Sequence, residues 1–340
     1  MGKIKIVAEI GCNHNGDKDL AKKMISIAAS CGVDAVKFQI FKTEELVAFD
    51  APSAEYQKKS GETTQFDMLK RLELSQEDYV EIVEYANRER CEIFATPFDL
   101  ESIDFLAQLG QKVWKIPSGE ITNLIYLERI AALPISEKQI VLSTGMSTVD
   151  EIDRALRIFK KEKDVTILHC NTNYPTEDED VNLLALKVLM KRYPNCKIGF
   201  SDHSLGITAA LVACGMGISF FEKHFTLDVN LPGPDHKASI NPDDLRILCS
   251  EIRRAEKLLG AERKAVTKSE NANRFVARKS IVAKEYIRKG EIYTAQNLTC
   301  KRPGTGISPM YWYELLGKIA EDDFNPDQLI SHSGFLWEEE

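Results

Sequence analysis

Two histidines in this 340-residue sequence could act together although they lie far apart in the chain. His203 stands in "FSDHS", and His224 follows 21 residues later in "FFEKHFT". This is not the HExxH spacing, which places two histidines on one face of a helix. Each instead ends a segment with strand character, and neighbouring parallel strands lie about 5 Å apart. Two imidazoles with open positions beside them suit a catalytic divalent ion, whereas an isolated histidine at a strand end would simply bond a backbone carbonyl.

Two lysines, Lys37 and Lys115, lie in apolar runs that we expect to be buried. A buried ammonium is costly unless an anion or a carboxylate meets it. With nearby serine and threonine hydroxyls, the pair could cradle a phosphate or a carboxylate. Structural salt bridges to Glu9 or Glu120 are one alternative. A Schiff-base lysine is another, for which Lys223 is a third candidate.

Three carboxylates, those of Glu9, Glu120 and Glu222, end or closely follow predicted strands. Proton transfer to or from a sugar carbonyl or a water needs such a group. Glu222 could equally well support a metal ion or a lysine. After the last strand, the turn-rich stretch "NLPGPDHKAS" (230–239) carries Asp235 and His236 to the same region, unless it merely caps the fold.

The segments that position these residues alternate between short β-rich runs and amphipathic helical patterns. Strands are predicted at residues 4–11, 35–41, 92–98, 113–119, 139–145, 165–172, 197–203 and 219–225. The clearest helical patterns cover residues 19–32, 76–90 and 148–162. Eight strand–helix units in about 250 residues predict an α/β fold of the (β/α)8, or TIM barrel, type. A doubly wound sheet would normally carry G-x-G-x-x-G after its first strand, where this chain has "EIGCNHNG".

The active site of such a barrel lies at the C-terminal ends of its strands. The polar residues expected there are Glu9, Lys37, Gln39, Thr96, Lys115, Ser118, Glu120, Ser143, Thr144, Asn171, Thr172, Tyr174, Ser201, His203, Glu222, Lys223 and His224. Asp202 should point the other way, because side chains alternate along a strand. We expect structural support from Asp202 and assign it no catalytic role.

The chain is predicted to contain two domains joined by a linker. The barrel should span residues 1–260, a charged linker residues 261–274, and a small β-rich module residues 275–340. Short strands with Gly and Pro between them indicate this last module. Within the barrel, residues 42–75 separate strand 2 from its helix, and a polar connection of that length is usually a lid or a substrate loop.

The composition excludes several classes of function. A net charge of −8 and a pI near 5.5 argue against a nucleic-acid-binding or anionic-membrane surface. No apolar run reaches the ~20 residues that span a bilayer, and the N-terminus reads as an amphipathic strand without the features of a signal peptide. Eight widely spaced cysteines indicate a reduced compartment with thiols in the core. We therefore predict a cytoplasmic protein with small-molecule substrates and with neither nucleic-acid nor membrane partners.

Ten short motifs, in order along nearly the whole chain, carry a family resemblance. They are "AEIGCNHNGD", "VKFQIFK", "ATPFD", "WKIPSGE", "LSTGM", "LHCNTNYPT", "GFSDHS", "EKHFT", "GPDHKAS" and "KRPGTGISP". In this combination the chain resembles the bacterial sialic acid synthases (N-acetylneuraminate synthases), and most of all their capsule type. Its last module resembles the SAF, or antifreeze-like, domain of those enzymes.

The resemblance implies a metal-dependent transferase. Such an enzyme condenses phosphoenolpyruvate with N-acetylmannosamine and water, giving N-acetylneuraminate and phosphate by C–O cleavage. A legionaminic acid synthase, which uses 2,4-diacetamido-2,4,6-trideoxy-mannose, is a near alternative with overlapping sugar-facing residues. No covalent enzyme intermediate is implied, so Lys115 would be an electrostatic clamp. A Schiff-base pyruvate aldolase and a non-enzymatic sugar-binding module are more distant alternatives.

The resemblance also implies roles for individual residues. His203 and His224 would hold a divalent ion, usually Mn2+ and alternatively Mg2+ or Co2+. Phosphoenolpyruvate contacts fall on Lys37, Thr96, Lys115, Ser118 and Ser201, and sugar contacts fall on Glu120, Tyr174 and Asp235. Gln39, Ser143 and Thr172 complete the predicted substrate-binding set, with Asn171 and Asn173 competing for the role of Thr172. Glu9 would lie between the substrates and handle protons and the water.

One further residue implies an oligomer. Arg302, in "KRPG", matches an arginine that the SAF domain of the other subunit inserts into the active site. The resemblance therefore implies a homodimer with swapped C-terminal domains.

Overall fold

The structure is a computed structural model that describes residues 2–49, 51 and 64–335. The chain divides into two compact units, Met1–Ala261 and Glu262–Glu340. Eight parallel strands form the sheet of the first unit: β1 Lys5–Gly11, β2 Ala35–Ile40, β3 Glu92–Pro97, β4 Val113–Ile116, β5 Gln139–Ser143, β6 Asp164–His169, β7 Lys197–Asp202 and β8 Phe220–His224. Hydrogen bonds join them in the order β3-β2-β1-β8-β7-β6-β5-β4. The predicted (β/α)8 barrel is therefore confirmed.

Helices follow the strands and cover the outside of the sheet. In the first unit they are α1 Lys18–Cys31, α2 Thr43–Leu46, α3 Gln65–Leu72, α4 Gln76–Arg88, α5 Leu100–Gln108, α6 Leu124–Ala132, α7 Val149–Ile158, α8 Asp178–Val181, α9 Ala185–Arg192, α10 Thr208–Met216 and α11 Pro242–Leu259. Side-chain caps set many of their starts. Thr148 and Glu151, for example, form a reciprocal capping box at the beginning of α7, which satisfies backbone N–H groups that have no partner inside the helix.

Two apolar layers hold the barrel together. A large outer core packs the strands against the helices, and a smaller inner cluster consists of Val7, Ala35, Phe94, Val113, Val141, Leu168 and Phe220. On β7 the inner position is Gly199, where an added Cβ would lie 2.5 Å from the Leu168 side chain and 2.6 Å from the Phe220 carbonyl oxygen. Glycine is required there because its two neighbours already fill the space. The inner cluster therefore plugs the barrel below the C-terminal ends of the strands.

One side chain closes the barrel where strand pairing stops. β3 and β4 lie side by side but share no ladder hydrogen bonds among the described residues. The side-chain amide of Gln111, just before β4, takes over this function. Its Oε1 accepts from the Ala95 backbone N–H at 2.7 Å, and its Nε2 donates to the Ala95 carbonyl at 2.9 Å. Gln111 thus provides hydrogen-bond partners for the backbone N–H and C=O of Ala95 at the edge of β3, as a neighbouring strand would.

The predicted strands run past the observed ones at several C-terminal ends. The predicted fourth strand, 113–119, ends at Ile116 because Pro117 precedes a 3-10 turn over Ser118–Glu120. The long connection 42–75 also contains more structure than the sequence prediction gave it. It holds α2 and α3, while residues 50 and 52–63 of that connection lie outside the described part of the chain.

The second unit is small and built on one antiparallel pair, β9 Ser280–Ala283 and β10 Leu298–Lys301. Its core includes Tyr293, Leu315 and Phe324. Two helices, α12 Lys268–Ala277 and α13 Trp312–Leu315, accompany these strands. The second half of the predicted linker, 261–274, is helical, because Thr267 and Glu270 form a capping box at the start of α12. Among the described residues of the whole chain, no helix is long and apolar enough to cross a membrane.

We predict that Gln111→Ala destabilises the barrel by about 1–3 kcal/mol, because it leaves a buried N–H and C=O of Ala95 without partners. Urea unfolding followed by tryptophan fluorescence measures this, since Trp114 is fully buried in β4. Gln108→Ala is the matched control. Gln108 is exposed on α5, so its change should stay within about 0.5 kcal/mol. Equal stability of the two variants would contradict the closing role of Gln111.

Candidate active site

A cavity of about 490 Å3 opens at the C-terminal ends of the strands. The predicted site residues that line it are Glu9, Lys37, Gln39, Thr96, Lys115, Ser118, Ser143, Thr172, Tyr174, Ser201, His203, His224 and Asp235. Its remaining wall includes Glu222, Cys12, Cys170 and a group of apolar side chains. The structure therefore brings most of the predicted residues to one place, although they come from all eight strands and the loops that follow.

Strand alternation explains why these residues converge. Each residue of the inner apolar cluster stands two positions before a cavity-lining residue, and successive inward positions on a strand are two residues apart. The second layer that results is Glu9, Lys37, Thr96, Lys115, Ser143, Cys170 and Glu222. The apolar layer thus forms the floor on which the charged layer rests.

Four buried charges form a connected network at this floor. The Lys37 ammonium lies 2.8 Å from Glu9 Oε2 and 3.7 Å from Glu222 Oε2, and it donates to Thr96 Oγ1 at 3.2 Å. Lys115 Nζ lies 3.3 Å from Glu222 Oε1. The same carboxylate oxygen accepts from Ser201 Oγ at 2.9 Å. Glu222 therefore connects the two lysines, and the four groups are close to neutral as a set.

The electrostatic environment gives the two lysines different properties. Burial lowers the pKa of Lys115, and the nearby charge of Glu222, which acts in the opposite direction, does not bring it back to its usual value. Burial acts on Lys37 in the same way, but Glu222 and Glu9 outweigh it and raise its pKa. Burial would raise the pKa of Glu222, yet Lys115 and Lys37 bring it to about 2. Glu222 is thus held as a carboxylate, whereas burial raises the pKa of Glu9.

The two histidines meet across β7 and β8 as the sequence predicts. Their ring centroids are 5.4 Å apart, and the Tyr174 ring packs against His203 at a tilt of 31° with centroids 4.2 Å apart. His203 Nδ1 donates to the Asn171 carbonyl at 2.6 Å, so its Nε2 carries the lone pair. Burial lowers the pKa of His203 to about 4 and that of His224 well below its usual value. Both rings are therefore neutral at physiological pH, which is the form that binds a metal ion.

The His224 ring is not fully satisfied by the protein. Its Nδ1 has no hydrogen-bond partner among the described residues, and Asp235 Oδ2 lies 3.6 Å away. Burial, and then the charge of Glu9, raises the pKa of Asp235 to about 7. Within the described part of the chain, no set of three or more His, Cys, Asp or Glu side chains is arranged to hold a metal ion. An ion here would consequently have two imidazole ligands and positions left for water or substrate oxygens.

The ends of β4, β5 and β6 form a hydroxyl-rich side of the cavity. The Gly145 N–H donates to Ser118 Oγ at 3.0 Å, and Cys170 Sγ lies 3.3 Å from the same hydroxyl. An added Cβ at Gly145 would stand 2.7 Å from Thr172 Cγ2 and 2.9 Å from Ser118 Oγ. Gly145 thus allows the chain segments that carry Ser118 and Thr172 to approach each other.

Lys223, a candidate for covalent chemistry, points away from the cavity. Its ammonium lies 2.7 Å from Asp202 Oδ2 and donates to the Ser204 carbonyl. Asp202 Oδ1 accepts from the Ser204 N–H and hydroxyl. The structural role expected for Asp202 is confirmed, and the Schiff-base role of Lys223 is wrong because strand alternation turns its side chain outward.

Three further expectations differ from the structure. Glu120 is not part of the cavity wall, because the 3-10 turn directs its carboxylate to the Asn123 amide at 2.7 Å. His236 does not line the cavity either and pairs with Thr226 Oγ1 at 2.6 Å. Thr144, the third of these residues, does not line the cavity because it is buried and its hydroxyl donates to the Leu168 carbonyl. Arg302 lies in the second unit, where its Nε donates to the Ala277 carbonyl, and its role in the active site of a partner chain stays a prediction.

Sequence reasoning also missed part of the cavity wall. Cys12 and Cys170 line it, although all eight cysteines were expected in the core. One face of α3, carrying Gln65, Met68, Leu69 and Leu72, lines it as well. The spacing of these residues is that of a helical face, and Thr64 caps the helix. That pattern could have revealed α3, but it covers only two turns within a long polar stretch.

Comparison with known proteins places this geometry in a family. The NeuB family model matches residues 24–264, and the SAF domain model matches residues 278–336. The chain belongs to the NeuB family. The predicted resemblance is therefore confirmed at the level of the family and of its C-terminal domain.

Among its NeuB-family relatives, the chain is 47% identical over 336 residues to the N,N'-diacetyllegionaminic acid synthase of Campylobacter jejuni, covering 97% of this chain and 99% of that protein. It is 42% identical to the Legionella pneumophila enzyme of the same name, covering 98% and 93%. A crystal structure of N-acetylneuraminic acid synthetase from Leptospira borgpetersenii is 34% identical with a TM-score of 0.71, covering 80% of this chain and 90% of that one. The relatives are thus sugar-acid synthases, and those of higher identity carry the legionaminic name.

We predict that Lys223→Met costs about 3–5 kcal/mol of stability, because it leaves the Asp202 carboxylate buried without its counter-charge. The measurement is urea unfolding at neutral pH. The control is Lys197→Met, which breaks the exposed pair with Asp164 and should cost less than about 1 kcal/mol. If Lys223→Met were as stable as the control, the outward pairing of Lys223 would be refuted.

Proposed function

We propose that this NeuB-family protein is an N,N'-diacetyllegionaminic acid synthase, which condenses phosphoenolpyruvate with 2,4-diacetamido-2,4,6-trideoxy-mannose and water and releases phosphate. The observation that supports this reaction is that two buried lysines lie beside two neutral histidines in one cavity. The acceptor follows from the 47% identity to the Campylobacter jejuni enzyme over nearly the whole of both chains. That identity supports this acceptor better than the N-acetylmannosamine implied by the sialic acid synthase resemblance.

Phosphoenolpyruvate fits the charged and hydroxyl-rich part of the cavity. Its phosphate and carboxylate need cations and hydrogen-bond donors, and Lys37 and Lys115 supply the cations. Ser118, Thr172 and Ser201 are hydroxyl donors on the same wall. Because Glu9 and Glu222 together already balance the two lysines, the anionic substrate adds negative charge to a nearly neutral site, and a divalent cation would offset it.

A divalent ion fits the residues that are present. His203 Nε2 carries a lone pair, both rings are neutral, and His224 Nδ1 lacks a partner among the described side chains. We assign the ion, Mn2+ in the first place, to His203 and His224, with Asp235 beside them. When bound, such an ion polarises a carbonyl oxygen as a Lewis acid.

The bonds change in three stages. C3 of phosphoenolpyruvate forms a bond to the aldehyde carbon of the open-chain sugar, and the aldehyde oxygen gains a proton. Water then adds to C2, which has become electron-poor, and loses a proton. Finally the C2–O bond to phosphate breaks, the departing phosphate takes up the remaining proton of the C2 hydroxyl, and C2 becomes the keto carbon. Glu9 accepts from Gln39 at 3.0 Å and pairs with Lys37, so we assign proton transfer from the water to Glu9.

We expect phosphate release only when phosphoenolpyruvate, the acceptor and a divalent ion are all present. The kcat/KM for 2,4-diacetamido-2,4,6-trideoxy-mannose should exceed that for N-acetylmannosamine by about tenfold or more, because the pocket discriminates by its contacts to the sugar substituents. EDTA should abolish turnover and added Mn2+ should restore it. Phosphate detection with mass spectrometry of the product checks each point.

Three outcomes would contradict parts of this proposal. A higher kcat/KM with N-acetylmannosamine than with 2,4-diacetamido-2,4,6-trideoxy-mannose would make N-acetylmannosamine the preferred acceptor. Full activity after chelation would contradict the assignment of His203 and His224 as metal ligands. A covalent adduct on Lys115 after borohydride treatment with pyruvate would favour the Schiff-base aldolase, for which the lowered pKa of Lys115 is the one supporting observation.

We further propose that the working protein is a homodimer in which the second unit of one chain completes the cavity of the other. Apolar side chains that follow the C-terminal ends of the strands are exposed, including Ile125 at 68%, Met146 at 73% and Leu205 at 63%. Such a rim marks an interaction surface. Arg302 is exposed in the second unit and could add a cation to a partner's cavity.

This arrangement predicts complementation. Glu9→Ala and Arg302→Ala homodimers should each be inactive, while a heterodimer isolated with two affinity tags should recover about half of the wild-type activity, because one of its two sites is intact. Phosphate release measures the recovery. A mixture of separately purified homodimers that cannot exchange chains is the control. An inactive, confirmed heterodimer would exclude the swap.

A further inference from the structure

We infer that the inner face of α3 is the specificity element that selects a methyl-terminated acceptor sugar. This inference rests on the proposed function. Four residues form this face, because they lie on one side of α3 and line the cavity: Gln65, Met68, Leu69 and Leu72. These residues have no part in the proposed proton, phosphate or metal chemistry.

The two sides of the cavity differ sharply in polarity. The charged network and the histidines occupy the strand ends, whereas the side next to α3 is a packed apolar cluster. That cluster consists of Cys12, Phe41, Met68 and Leu72, with Leu46, Leu69 and Phe98 against it. Phosphoenolpyruvate is charged at both ends and cannot bury either end against such a surface without a large penalty. The part of the substrates that lies here must therefore belong to the sugar.

A chain of contacts connects this cluster to the reacting end of the cavity. Cys12 belongs to the cluster, and its thiol donates to Gln39 Oε1 at 3.4 Å. Gln39 in turn donates to Glu9 at 3.0 Å. With its aldehyde near Glu9, an open-chain sugar would extend its far end toward α3. In the proposed acceptor that end is a methyl group, and in N-acetylmannosamine it is a hydroxymethyl group.

The apolar wall favours the methyl group for a simple reason. A hydroxyl placed against Met68, Leu69 and Leu72 would lose its hydrogen bonds to water and find no partner among these three side chains. Gln65, at the start of the same face, is the one polar side chain of α3 that lines the cavity. A hydrophobic pocket discriminates against an added hydroxyl by about 10–100-fold.

α3 is held in place, so its face can act as a fixed wall. Glu73, directly after α3, accepts from the Thr43 hydroxyl at 2.6 Å and from the Thr43 N–H at 3.0 Å. Thr43 is fully buried at the start of α2. Nearby, an added Cβ at Gly16 would stand 2.5 Å from the Arg71 carbonyl oxygen. Close packing at Gly16 and the hydrogen bonds of Thr43 therefore fix the C-terminal end of α3, which carries Leu69 and Leu72.

Leu69→Gln is the sharpest test, because Leu69 is only half-buried and glutamine keeps its length and helix propensity. The assay compares three acceptors: N-acetylmannosamine, 2,4-diacetamido-2,4-dideoxy-mannose and its 6-deoxy form. The last two differ only in the C6 hydroxyl. We expect the wild-type protein to prefer the 6-deoxy sugar by about tenfold or more, and Leu69→Gln to reduce this preference at least about fivefold.

Controls separate specificity from general damage. Leu69→Met should keep the wild-type preference, and so should Lys70→Gln, which changes an exposed residue of the same helix. The KM for phosphoenolpyruvate should stay constant in all variants. Wild-type protein that turns over none of the three sugars would overturn the proposed function and this inference with it. Turnover with no preference at C6, or a preference that Leu69→Gln leaves unchanged, would overturn this inference alone.

Discussion

The cavity depends on one electrostatic constraint, the mutual neutralisation of two carboxylates and two ammonium groups at the barrel floor. None of these groups could stay charged in isolation there, because burial penalises each of them. Glu222 is the group that makes the set possible, since it reaches both Lys37 and Lys115. The lysines to which we assign substrate binding are thus already paired with carboxylates, and an anionic ligand would compete with those carboxylates.

How much of this the sequence could reveal depends on the range of the interaction. Strand periodicity places Glu9, Lys37 and Lys115 correctly, because alternation is a local property of the backbone. It cannot show that Glu222 joins two lysines on other strands, since those distances depend on the curvature of the closed sheet. The predicted place of Glu120 in the cavity wall differs from the structure for the opposite reason. A local turn after Ile116, invisible to a period-two pattern, directs its carboxylate to Asn123.

The division of the cavity into a polar and an apolar side suggests how one fold can serve several sugar acids. The reacting groups stand on strands that the barrel core fixes, whereas α3 stands on the connection after β2. Changes on α3 leave the buried charges untouched. With acceptor selection assigned to α3 as proposed, acceptor preference and catalytic chemistry would vary separately, in the way that loop-borne specificity is carried on a rigid scaffold.

The missing ladder between β3 and β4 has a consequence for the ligand-bound protein. Gln111 is the substitute for that ladder, so this seam is the natural place for the ring of strands to open locally. Thr96, one residue before the end of β3, lies on one side of the seam, and Lys115 on β4 lies on the other. An anionic ligand that bound both residues would connect β3 and β4 across this seam. Substrate occupancy and resistance to unfolding would then rise together by mass action.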